Sequence, residues 1–409
     1  MGTLIRHTGT FTMEDRIAAP WHYLPVEVRP GVSALRVELS YSRDDGTVLD
    51  LGCFDPSGFR GWSGGARTSF VVSADGATPG YLAGPVSAGL WQVVLGLHAV
   101  PTDGVRFELT AEPVNGALAR ELPGEPVGVG AEAPAERPVG RNLPATAGHR
   151  WLAGDLHAHT VHSDGSLTVA ELADYAVEEG LDFVAVTDHN TVSHHASLPR
   201  VSARFGVTLI PGQEVTTWGG HAGVLGDIGW IDFRSPAQDW LTATEARGGL
   251  MSVNHPFAGH VSWLHPMDRK PPLLEVWHWS WLDMTWTTPL SWWQAWDPSA
   301  IPVGGSDWHR PGSDAPLGTP TTWVEAEDPS VDAILAGLRA GRVAISTSRN
   351  GPVLLRHDGG LVAAGADGLI LVSAQGPRRL IRGDLVTLPG EAGYHRLLTP
   401  SGATVALTP

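Results

Sequence analysis

Asp155-Leu-His157-Ala-His159-Thr-Val-His162-Ser-Asp164-Gly165 is the stretch from which the rest of the chain can be read. It continues an apolar run that begins at Trp151. It leads into Thr168-Val-Ala-Glu171, the capping-box pattern that opens an amphipathic helix ending near Gly180. A strand, a His- and Asp-bearing turn and a helix make one βα unit. In an extended segment residues i and i+2 point to the same side, so His157 and His159 can both reach one ion, and Asp307 and His309 share that spacing.

Further strands are predicted over 181–187, 207–210, 250–253, 273–276, 301–304 and 321–324, with helical stretches between several of them and another helix starting with Pro329 at N1. Repeating βα units predict an α/β fold over 151–350, parallel and barrel-like. Just after these strands His and acidic residues recur: His157, His159, Asp164, His189, Glu214, His221, His255, Asp307 and His309. In such a fold C-terminal strand ends converge on one mouth, which points to a metal centre.

Residues 1–112 read as an all-β, sandwich-like module, with alternation such as Leu35-Arg-Val-Glu-Leu39 and Trp91-Gln-Val-Val-Leu95 and turns at Asp45-Gly46 and Asp75-Gly76. Residues 113–150 are a Pro-, Gly- and Ala-rich linker, and 351–409 a small β segment. With 42% hydrophobic residues the chain of 409 has enough apolar material for two or three folded domains. Its net charge of −16, with Lys270 the only lysine, lacks the basic footprint that nucleic-acid binding needs. Cys53 stands alone, so neither an intrachain disulfide nor a thiolate zinc site is expected. No apolar run suits a membrane span or a signal peptide, which makes a cytoplasmic location the expectation.

Asp155 to Gly165, Thr187-Asp-His-Asn190, Glu214, Val253-Asn-His-Pro256 and Gly305-Ser-Asp-Trp-His309 resemble the ordered motifs of the polymerase and histidinol phosphatase (PHP) superfamily. The segment His221-Ala-Gly-Val-Leu-Gly226, the preceding β module and Gly341-Arg-Val-Ala-Ile-Ser346 resemble its carbaryl-hydrolase-like branch. The resemblance implies a distorted (β/α)7-type barrel. It places His157, His159, Glu214 and Asp307 on one metal, with Glu214 bridging to a second ion held by His221 and His255. Asp164, His189 and His309 would hold a third ion. All-N/O ligation suits two or three divalent ions, Mn²⁺, Zn²⁺ or Fe²⁺.

The expected activity is hydrolysis of a small phosphate ester by a metal-activated hydroxide, with His189, Asp307, His309 and Arg310 as the catalytic groups. Arg310 could grip an anionic oxygen, and His189 or His278 could protonate the leaving group. The alternatives are a carboxyl ester, carbamate or amide hydrolase on the same centre, and a non-catalytic protein that binds a carbohydrate or a partner. Eight tryptophans lie between Trp263 and Trp296, including Trp286. They read either as core packing or as a pocket wall in which Trp277, His278, Trp279 and Trp281, with Arg310, meet the substrate. His260 and His265 are further substrate candidates in that stretch, whereas His162, His194 and His195 read as non-ligands, the last two facing solvent on a helix. Asp188 is expected to orient His189 or another ligand.

Overall fold

Strand alternation organises the N-terminal part of the computed structural model, which describes residues 4–114, 138–281, 287–313, 315–373 and 378–409. Most of the expected linker, and Trp286, lie outside the described residues. Eight strands run β1 (Ile5–Phe11), β2 (Trp21–Val28), β3 (Ala34–Tyr41), β4 (Val48–Asp55), β5 (Gly58–Gly64), β6 (Ser69–Ser73), β7 (Gly89–Ala99) and β8 (Val105–Val114). They form two antiparallel sheets, β1-β8-β3-β6 and β2-β7-β4-β5. At the start of β7, Trp91 and Val93 are fully buried while Leu90 turns outward and Gln92 is half-buried, the alternation of a sheet covered on one face, and from Val93 to Leu97 every residue is buried. Residues from both sheets, Leu35 and Val37 with Leu49, Cys53 and Trp91, share one core, so the module is a sandwich.

The chain divides into two compact units, and the first takes in residues 160–168 and 188–196 as well as the β module. Arg67 donates to the carbonyls of Val161 and Ser163, and Gly80 N–H donates to Ser193 Oγ at 3.0 Å. Gly80 sits at φ 100°, and a Cβ there would lie 2.7 Å from the carbonyl oxygen of Trp62, so this close approach needs glycine.

The second unit contains the βα region. Its strands are β9 (Arg150–Ala158), β10 (Phe183–Val186), β11 (Thr208–Thr217), β12 (Gly220–Leu225), β13 (Leu250–Asn254), β14 (Leu273–His278), β15 (Ile301–Gly305), β16 (Thr321–Ala326) and β17 (Val343–Ser346). The described helices of eight residues or more are Val169–Glu178, Leu198–Phe205, Ala237–Ala246, Thr288–Trp296 and Val331–Arg339. Sheet order is β15-β14-β13-β12-β11-β10-β9-β16-β17. Pairing is parallel across β9, β10 and β11 and again across β13, β14 and β15. Every residue of β10 and β13 is buried, as in a parallel sheet covered on both faces.

Two expectations need correction. β12 runs antiparallel to both β11 and β13, so the βα alternation is interrupted by a hairpin. The link from Thr217 to Gly220 is far too short for a parallel crossover, which takes a dozen residues or more. The helix expected to start at Pro329 starts instead at Val331, with Ser330 as its N-cap accepting from Ala333 N–H.

The C-terminal strands are β18 (Val353–His357), β19 (Gly360–Ala364), β20 (Ile370–Ser373), β21 (Arg379–Leu380), β22 (Leu385–Pro389), β23 (His395–Leu398) and β24 (Thr404–Thr408). β24 pairs with β17, joining this segment to the large sheet of the second unit. Among the described residues no helix is long and apolar enough to cross a membrane.

Candidate metal centre

The strand ends of the second unit carry the converging groups. His157 lies near the end of β9 and His159 one residue beyond it; Glu214 is on β11, His221 on β12 and His278 at the end of β14. His255 follows β13 and Asp307 follows β15, at φ 25° and 49°. Left-handed backbone at two non-glycine residues is strained, and it is found at the two turns that present these side chains.

Glu214 is fully buried at the centre of the cluster. His157 Nε2 lies 3.0 Å from Glu214 Oε1 and 3.1 Å from Asp307 Oδ1. His159 Nε2 lies 3.0 Å from Asp307 Oδ1 and 3.7 Å from Glu214 Oε2. Glu214 Oε1 also meets His255 Nε2 at 3.2 Å and His221 Nδ1 at 3.4 Å. His157, His159, Glu214 and Asp307 thus offer four ligand atoms within 4.8 Å of one another. His157 Nε2 is buried and close to two carboxylates, yet it makes no hydrogen bond of acceptable geometry. A buried nitrogen so placed fits a cation, and the N/O donor set fits Zn²⁺, Mn²⁺ or Fe²⁺.

The electrostatics agree. Burial opposes a charged His157 ring, but Glu214, Asp307 and Glu275 outweigh it and raise the ring well above the usual histidine range. His255 is raised against the same burial by Glu214. Burial would raise the Asp307 carboxyl, yet His157, His159 and His278 hold it well below the usual carboxylate range. These residues concentrate negative charge that protons offset when no ion does.

Behind this cluster stand residues to which the sequence assigned no role. Glu275 Oε1 lies 3.1 Å from His157 Nδ1, and Oε2 accepts the backbone N–H of His255 at 2.6 Å. Asn254 Nδ2 donates to Glu214 Oε1 at 3.0 Å. Asp155 accepts backbone N–H groups of His157, Ser306 and Gly318, fixing the exit of β9 and the turn after β15. The signal for Glu275 was an acidic residue inside the apolar run Leu273-Leu-Glu-Val-Trp-His278.

His309, also in the second unit, stacks on His159 at 4.2 Å, and its Nδ1 donates to the Asp307 carbonyl at 2.8 Å. Arg310 is exposed. In the first unit Asp164 Oδ1 and His189 Nε2 lie 3.5 Å apart. Asp188 accepts from Thr160 N–H, Thr160 Oγ1 and Ser163 Oγ, and lies 3.1 Å from His194 Nδ1. His194 is therefore fully buried and not solvent-facing, because the Asp188 carboxylate draws it inward. His162 is buried with Nδ1 2.7 Å from Ser193 Oγ.

Most of the tryptophans pack inside the second unit. Trp277 is fully buried, Trp281 is buried and donates to the Val276 carbonyl, and Trp293 donates to that of Ala300. Trp279 is partly exposed, while His278 is buried 4.9 Å from the Trp281 ring. His265 Nε2 lies 2.8 Å from Thr217 Oγ1, and the His260 side chain is outside the described residues.

Residues 155–253 match the family model described as the PHP domain. A stretch of 106 residues is 37% identical to the 5'-3' exoribonuclease Rnm of Salmonella typhimurium, covering 24% of this chain and 36% of that protein. Another, of 84 residues, is 37% identical to the 3',5'-nucleoside bisphosphate phosphatase of Chromobacterium violaceum, covering 20% and 29%. The chain thus spans about a third of the length of these relatives. Among solved structures, a two-domain protein from Bacteroides vulgatus containing a predicted PHP-like metal-dependent phosphoesterase matches with TM-score 0.46 and 18% identity, over 68% of this chain and 100% of that one.

Proposed function

We propose that the chain is a metal-dependent phosphoesterase acting on a small phosphate ester. The observation that carries this reading is the His157 Nε2 atom, buried within 3.1 Å of two carboxylate oxygens without a hydrogen bond. His157, His159, Glu214 and Asp307 would hold one ion, and Glu214 would share a second with His221 and His255. The bridge from Ala158 to Trp308 supports reading the seven strands from β9 to β15 as a distorted barrel around this centre. Asp164, His189 and His309 keep the ligand roles that the motif resemblance implies, and the metal count tests them.

Divalent ions bound here supply Lewis acidity toward a phosphoryl oxygen and acidify water. The remaining work falls to the chain. Ser280 N–H donates to His278 Nδ1, which leaves the proton on Nε2, 3.3 Å from Asp307 Oδ2. That N–H is placed to donate a hydrogen bond to a leaving oxygen. Arg310, close in sequence to the Asp307 turn, would receive a non-bridging oxygen of the ester.

The names of the relatives make nucleotide-like phosphate esters the first substrates to assay, with a short RNA as a separate arm. Phosphomonoesters, phosphodiesters, aryl esters and carbamates should be compared with Mn²⁺ or Zn²⁺ present. The expected result is turnover of small phosphate esters, abolished in His157→Ala and Asp307→Ala together with a fall in bound metal. Turnover of the carbon esters alone, or full activity in either variant, would overturn the reading.

A further inference from the structure

A second place in the same unit gathers charge of the opposite sign. Arg141, Arg150 and Arg349 line a cavity of about 390 Å³ together with Asp182, Trp151 and Trp323. Arg150 is the first residue of β9, Asp182 immediately precedes β10, and Gly206, also on the wall, precedes β11. The cavity therefore opens at the strand starts, whereas His157 lies at the other end of β9. Seven residues of strand separate Arg150 from His157, on the order of 23 Å.

Each guanidinium has donors to spare. Arg141 lies over the Trp323 ring at 5.7 Å and uses Nη1 on the carbonyls of Gly351 and Arg349. Arg349 reaches the carbonyls of Gly180 and Val139 and the side chain of Asn350. Among the described residues none of the three is in an ion pair with a carboxylate. Asp182, the one acid on the wall, accepts from Ala153 N–H at 2.9 Å. Burial, followed by repulsion from Arg349, pushes Arg141 below the usual arginine value. Two like charges held this close favour an anion that neutralises both.

The geometry points to a second binding site at this end of the sheet, one that takes a small phosphate-bearing ligand and is separate from the metal centre. Planar guanidinium forks match the oxygens of a phosphate, and the volume exceeds what a bare anion fills, lying within the roughly 300–1,000 Å³ of small-molecule sites. The Trp323 ring beneath Arg141 supplies a rigid apolar floor. This inference stands whether or not the metal centre hydrolyses phosphate esters.

Calorimetric titration of the full chain, carrying Asp307→Ala to silence the metal centre, tests it with inorganic phosphate and phenylphosphonate as probes. Saturable binding of one equivalent is expected. Tighter binding of phenylphosphonate identifies an organic phosphate as the natural ligand, and tighter binding of phosphate identifies the free anion. Arg150→Ala removes an exposed side chain that makes no hydrogen bond among the described residues, and Arg141→Lys keeps the charge but loses the fork. Each should weaken binding by about tenfold or more, and Arg150→Ala should do so while leaving the unfolding temperature in place. No saturable binding of either probe, or affinity unchanged in both variants, would overturn the site.

Discussion

Glu275 decides which nitrogen of His157 faces the metal cluster. A carboxylate only accepts, so Glu275 Oε1 accepts a hydrogen bond from Nδ1–H, which keeps the ring proton there and leaves the Nε2 lone pair toward Glu214 and Asp307. Its second oxygen holds the strained His255 turn through the backbone N–H. In Glu275→Gln the amide keeps one acceptor, but its NH₂ must oppose one of these two donors. Metal affinity, measured by competition with a chelator, should fall about 10- to 100-fold, the usual cost of losing an outer partner of a ligand. Unchanged affinity would show that His157 is oriented by packing alone. His157, His159, Glu214, His221, His255 and Asp307, which the structure brings together, stood out in the sequence because they recur near strand ends with ligand-like spacing. Glu275 did not, because a single acid in an apolar strand looks the same whether it orients a ligand or forms an ion pair.

At the level of elements, the centre depends on how closely β9, β14 and β15 approach. A Cβ at Gly305 of β15 would lie 2.0 Å from Glu275 Oε1 and 2.7 Å from His157 Cβ. Gly305→Ala must therefore move either the ligand or the carboxylate that orients it. The substitution should cost about 1–3 kcal/mol of stability. It should also lower metal content, read by elemental analysis and thermal unfolding. Full metal content at wild-type stability would show that the strands separate freely. The sequence showed most strands of this sheet to within a few residues, since fully apolar runs of that length between turn signals have few other readings. It did not show the direction of β12. His221-Ala-Gly-Val-Leu225 is buried along its whole length and reads the same in either direction. The short link before it carried the information.

For the whole molecule, the metal cluster couples stability to pH with a definite sign. His157 and His255 are raised above their unfolded values, so in metal-free protein they contribute stability that is fully present below about pH 6.5 and lost as pH rises through the raised values. His162, in the first unit, acts in the opposite sense. Burial lowers it to about 4, so its contribution is present above the unfolded value and is lost as pH falls toward 4. His162 enters the metal-free and metal-loaded proteins alike, whereas His157 and His255 give up their protons when an ion binds. Subtracting the two unfolding temperatures therefore isolates the cluster. Ligand linkage gives about 4 kcal/mol when free metal is a thousandfold above its dissociation constant, and each kcal/mol is worth roughly 2–4 °C for a unit of this size. The temperature gap should be widest above neutrality and close as acid restores protons to the imidazoles, with His157→Ala removing most of it. A gap of constant width across this range would mean that ions bind away from these histidines.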